Sequence, residues 1–402
     1  MRIIMYVAAL VTTMLLASCG GDGDNAPLSA GTSTGGATQS AVDVESGSTT
    51  GSTTSSSGQR TGDLTLGNFP TNRIISGGVP KDGIPALTNP AFVGPSAVSY
   101  LNDADLVLGV VINGEAKAYP HNIGWWHEIV NDRIGGQAIS VTFCPLTGTG
   151  LVFDTTDDNG GQFELGVSGL LYNNNLIMYD RRDDSTLYPQ ILFSAIEGPR
   201  EGEKLELLPV VETTWATWKI LYPNTQVVAG GSYSQSRYTS YPYISSNLGD
   251  YRTSNLYLLF GLDPNLSNNS NAYSTVYDVK DRVLGVRINE RSKAYHFASM
   301  AEREVINDIV GGEEIVVVRD GRADLAIPFS RVVDGQVLSF DIETGIAGAF
   351  FGLRDRETHT LWDISGRAFE GSLEGTQLRQ IPAHNSFWFA WVSFWQETEV
   401  WE

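Results

Sequence analysis

The chain has 402 residues, with 46 acidic and 26 basic side chains and a formal charge of −20. That surplus excludes nucleic acid as a partner, because phosphate binding needs a basic footprint, and it excludes electrostatic docking on anionic lipid. Apolar residues make up 42% and aromatics 10%, nine of them Trp, so most of the chain can bury a core; the length fits roughly two to three domains.

Arg2 is followed by an apolar stretch that ends in Leu16-Ala17-Ser18-Cys19. A charged start, a short apolar region and small residues before a cut predict a secretory signal over 1–19, too short for a membrane span. The Cys after Leu-Ala-Ser resembles the bacterial lipobox, so lipidation is expected at Cys19. The protein is then extracytoplasmic and held to the membrane only through that lipid, and Gly20 after the Cys favours the outer membrane. Residues 20–62 are dominated by Gly, Ser, Thr, Ala and Asp without an aromatic residue, and they cannot bury enough surface to offset ordering. As a coil they make a tether of roughly 35 Å.

In the first unit, expected over 63–230, Val107–Ile112 is apolar and β-branched, Asn113-Gly114 is a hairpin turn, and 116–119 returns. The spacing of Ile123, Trp126, Ile129 and Val130 predicts a helix over 123–132, stopped by Gly135-Gly136. Short strands follow at 139–143, 151–154, 163–167 and 176–180, and a second helix at 214–221. Residues 231–275, rich in Ser, Tyr and Asn, form a connecting segment. A second unit over 276–402 repeats the first: residues 105–141 align without a gap to 281–317 with 17 of 37 positions identical. Further on, Pro209, Trp215, Trp218 and Thr225 match Pro382, Trp388, Trp391 and Thr398. The expected fold is α+β, mainly antiparallel β, in two homologous units from an internal duplication, the second degenerate.

The repeat separates scaffold from chemistry. Lys117, Tyr119, Asn131 and Asp132 recur as Lys293, Tyr295, Asn307 and Asp308, which suits a shared backbone. His121, His127 and Cys144 instead face Phe297, Arg303 and Asp320. Two imidazoles and a thiol suit a transition metal, with Met178 as a weak additional ligand; copper is favoured over zinc or iron. Such a site predicts a metal-dependent oxidoreductase acting on a small molecule, or a metal-handling protein. Two other classes stay open. Cys144 could be a nucleophile with His127 as its base and Glu128 or Asp180 orienting the ring. The chain could also be a non-catalytic envelope module binding a glycan or a protein. Ser168, Tyr172, Asn173, Asn175 and Arg181 make a polar segment that could bind the substrate, although turn chemistry accounts for the Asn run equally well.

Ala118-Tyr119-Pro120, the stretch His127 to Asp132, Val141 to Leu146, Val167 to Leu176, and Met178-Tyr179-Asp180-Arg181 together resemble the bacterial family carrying the domain of unknown function numbered 3179. The resemblance covers about 70–400. It implies a secreted or lipid-anchored protein and carries the family's His and Cys positions onto His127 and Cys144. Thr147 stands where many members have a second Cys, and Tyr188 where many have Trp.

Overall fold

In the computed structural model, the described residues are 62–264, 266, 276–345 and 350–402, and all of them fall within one compact unit. The expected signal peptide, the lipidation site Cys19 and nearly all of the tether lie outside them. The fold is built mainly from antiparallel strands with a few short helices, as expected. No helix among the described residues is long and apolar enough to cross a membrane.

The hairpin around Asn113-Gly114 joins strands Leu106–Ile112 and Glu115–Pro120, with Gly109 opposite Ala118. Strand Val211–Thr214 adds antiparallel on one side, and Gln226–Val228 adds parallel on the other. The second half has the same order. Strands Arg282–Ile288 and Arg291–His296 pair with Gly285 opposite Ala294, flanked by antiparallel Ala383–Phe387 and parallel Glu399–Val400. A three-stranded meander follows in each half, Ile129–Ile134, Gln137–Cys144 and Thr149–Asp154 in one, Arg303–Val310, Glu313–Asp320 and Leu325–Ser330 in the other.

The bonds recur residue by residue. Lys117 and Lys293 reach Asp132 and Asp308 at 2.9 and 2.8 Å. Tyr119 and Tyr295 donate to the same carboxylates, each at 2.8 Å. The Asn131 amide exchanges two bonds with the Leu165 backbone, and Asn307 does the same with Phe340. Trp218 and Trp391 donate to Thr225 and Thr398. Each indole lies against a glycine, Gly109 or Gly285, where any Cβ would collide with the ring. Lys117, Tyr119, Asn131, Asp132 and Trp218, with their counterparts in the second half, are therefore scaffold.

The C-terminal helix of each half packs on its own hairpin and also joins a core containing residues of the other half. Trp388–Phe394 is wholly buried in the larger core with first-half residues such as Phe153, Tyr172 and Leu192. Trp215 and Trp218, on helix Trp215–Leu221, belong instead to a core with Val316, Leu325 and Trp362. Each half thus closes a core of the other, and apolar burial, the largest favourable contribution to folding, is shared between them.

The helix expected over 123–132 is displaced. It spans His121–His127, and Ile129–Ile134 is a strand whose Ile129, Val130 and Asn131 pair with Thr142, Val141 and Ser140. The strand is buried on both faces, so its apolar residues imitated a helical spacing. In the second half the matching stretch is a turn in which the Met300 N–H reaches the His296 carbonyl. The helix that carries both candidate histidines belongs to the first half alone.

Candidate functional site

His127 ends its helix fully buried. Its Nδ1 donates to the Pro85 carbonyl at 2.7 Å, which leaves Nε2 to accept from the Tyr238 hydroxyl at 2.9 Å. That hydroxyl also accepts from the backbone N–H of Gly231 and of Tyr233. Burial holds the imidazole neutral, its pKa lowered against the opposing pull of the Pro85 carbonyl. The residue pins the connecting segment to the helix.

His121, one turn and a half earlier, faces elsewhere. Its ring stacks on Phe143 with centroids 4.1 Å apart, and Nε2 lies 3.7 Å from Glu212 Oε2, too far for a hydrogen bond. Burial, then the Arg282 and Arg252 guanidinium groups, push its pKa well down. Met178 is fully buried, opposite Val167 and Tyr188 in its sheet. Among the described residues no group of three or more His, Cys, Asp or Glu converges as a metal would require. Both ring nitrogens of His127 are committed to protein partners, so His127 would have to give up one of these bonds to hold a metal together with His121, Cys144 and Met178. The same two bonds leave His127 no nitrogen to serve as base for Cys144.

Cys144 ends strand Gln137–Cys144 and is 1% exposed. Its thiol donates to the Asn174 carbonyl at 3.3 Å, and burial, with the nearby Glu128 charge adding to it, pushes the pKa up to about 11. A thiol held neutral is a poor nucleophile. Behind it lies a buried polar network. Asn175 donates to Gln190 at 2.9 Å, Gln190 donates to Thr142 at 2.9 Å, and Thr149 bonds both Gln190 and Thr147. Thr147 also accepts from the Asn175 amide at 3.3 Å.

Glu128 is the exception in this region. It follows the helix at φ 56°, ψ −33°, a left-handed conformation that costs a residue with a Cβ about 1–3 kcal/mol. The turn is held by its N–H to the Gly124 carbonyl at 3.0 Å and by Phe143 N–H to its own carbonyl at 2.7 Å. The side chain is 7% exposed, and no hydrogen bond or ion pair to a described residue reaches its carboxyl group. Burial alone raises its pKa to about 8. Around it and Cys144 stand Tyr241, Tyr243 and Tyr251, each with its phenol pKa raised first by burial and then by charges that include Cys144.

The remaining expected residues are tied into the scaffold. Asp180 is clamped by Arg182 at 2.5 Å, and Arg181 pairs with Glu164 and Asp82 at 2.8 and 3.2 Å. Ser168 donates to the Ile177 carbonyl at 2.5 Å. Asn173 accepts from the Asp263 N–H at 2.7 Å, and Tyr172 donates to the Asp263 carboxylate at 3.3 Å.

The connecting segment supplies residues that no motif announced. Besides Tyr238, the Tyr238 and Ser240 carbonyls accept from Asn122 and Trp126, and the Tyr251 hydroxyl donates to the Leu146 carbonyl. Arg252 lies over Trp125 and Tyr241, and Lys280 lies 3.4 Å over the Tyr251 ring. Clustered Tyr in a polar stretch was the one available signal.

The model of the family described as Protein of unknown function (DUF3179) matches residues 81–398. No curated protein and no solved structure matches the chain.

Proposed function

The chain belongs to the DUF3179 family, and we propose that it is a lipid-anchored extracytoplasmic enzyme that moves protons on a small molecule, with Glu128 as the proton-carrying group. The anchor rests on Leu16-Ala17-Ser18-Cys19. The chemistry rests on one observation, a carboxyl group on a residue only 7% exposed, with no hydrogen bond or ion pair to a described residue, held on a backbone turn of positive φ. Structural carboxylates in protein interiors are paired, because an isolated buried charge is costly. A carboxyl group left unpaired, at a strained position and poised near pH 8, has the properties of a general acid–base group working near neutrality.

In the resting protein Glu128 carries its proton. It gives the proton to charge developing on the bound molecule and recovers one from that molecule or from water. Cys144 stays neutral, donating to the Asn174 carbonyl, and sets the polarity beside the carboxyl group. The experiment compares wild type with Glu128→Gln, each incubated with a small-molecule extract and followed by mass spectrometry. Depletion of a compound by wild type and not by the variant supports the reading. An extract left unchanged by wild type, or depleted equally by both, contradicts it.

A further inference from the structure

Between the helix that carries His127 and the connecting segment lies a cleft of about 380 Å³, lined by Asn122 and Trp125 of the one and Tyr241 and Arg252 of the other and within the size range of small-molecule sites. Asn102 and Asp105 line it as well. Tyr241 lines this cleft and also feels the charge of Cys144, which connects the cleft to the region of the proposed proton-transfer centre. We propose that this cleft binds a neutral polyhydroxylated molecule the size of one or two sugar rings. The inference rests on the preceding reading for its role as a substrate site and names the substrate class.

The charged groups of the lining already have partners. Arg252 makes a fork of bonds to the Asp250 carboxylate and lies 4.1 Å over the Tyr241 ring and 5.2 Å over Trp125. The Asp105 carboxylate accepts from the Asn102 N–H at 2.8 Å. What the lining leaves without a partner is neutral. Asn122 is 2% exposed and spends its amide hydrogen on the Tyr238 carbonyl at 2.8 Å, so its Oδ1 is an acceptor with no donor among the described residues. The Tyr241 hydroxyl, also buried, has no partner there either.

Buried polar atoms are nearly always bonded, so an orphaned acceptor and an orphaned hydroxyl on residues lining one cleft call for a ligand that both donates and accepts. Adjacent hydroxyl groups do both. The Trp125 and Tyr241 rings, edge to face with centroids 5.1 Å apart, give the apolar face of such a molecule something to pack on. An anionic ligand would meet Asp105 and a chain of net charge −20.

The test measures binding of D-glucose, N-acetyl-D-glucosamine, cellobiose and D-glucuronate by calorimetry and by Trp fluorescence. Wild type should bind at least one neutral sugar saturably, and glucuronate at least tenfold more weakly. Ile244 lines the mouth and is 53% exposed, so Ile244→Trp narrows the entrance without disturbing the core. Ile244→Trp and Arg252→Ala should each weaken binding at least tenfold with the circular dichroism spectrum unchanged. Folded wild type that binds none of the neutral sugars, prefers glucuronate, or is matched in affinity by both folded variants would overturn the inference. Titration of Glu128 on the same protein is read separately, so failure of the substrate class and failure of the proton-transfer centre remain distinguishable.

Discussion

Glu128 sits in the same dipeptide as His127, and the sequence reading put the chemistry on the imidazole with Glu128 only as a group that orients it. An imidazole is a familiar ligand and base, whereas the environment of a carboxyl group is invisible until the fold shows what surrounds it. Here that environment raises the folded pKa from the ordinary 4.5 to about 8. The native state therefore holds this proton more tightly than the unfolded chain. Glu128 costs no stability below pH 4.5, costs progressively more from there to about pH 8, and adds no further penalty above. Glu128→Gln should accordingly be more stable than wild type by about 3 kcal/mol at pH 7, with a gap that closes toward pH 4.5. Urea melts of both proteins across that range check this. The neighbouring thiol makes a second expectation. With a pKa near 11 and 1% exposure, Cys144 should resist iodoacetamide at pH 8 in the native protein and react fully after unfolding in urea, by mass spectrometry.

Among the elements, the hairpins, the double-glycine turn and helix Trp215–Leu221 were legible because local turn chemistry and short apolar runs specify them. The helix end at Glu128 was not, since the reversal there depends on the Phe143 N–H supplied by a distant strand. Nor was the role of 231–264. Its composition reads as a linker, yet Tyr238, Tyr251 and Asp263 fasten it to His127, Leu146 and Asn173. Tyr238→Phe removes the hydroxyl that serves His127 Nε2 and two backbone N–H groups and leaves those groups buried. Unsatisfied buried groups cost about 1–3 kcal/mol each, so the variant should lose about 2 kcal/mol or more. Limited proteolysis should then cut first within 231–264; an unchanged cleavage pattern would show that the segment is held by other contacts.

At the scale of the molecule the repeat was plain from identities such as Lys117/Lys293 and Asn131/Asn307, because scaffold bonds tie down residue type. The sharing of each helix with the other half's core was not plain, because sequence shows which face is apolar without showing what covers it. That sharing predicts interdependence. Residues 62–275 and 276–402 expressed apart should give no cooperative thermal transition, while 62–402 should unfold in one; a cooperative melt from either piece alone would contradict the shared core. The proton-transfer centre is the claim on which the functional account stands, and infrared difference titration tests it most directly. Wild type should show one protonated carboxyl band that survives neutrality, disappears with a midpoint near pH 8, and is absent from Glu128→Gln. A band absent from wild type above pH 6, or one that persists unchanged in the variant, would contradict it.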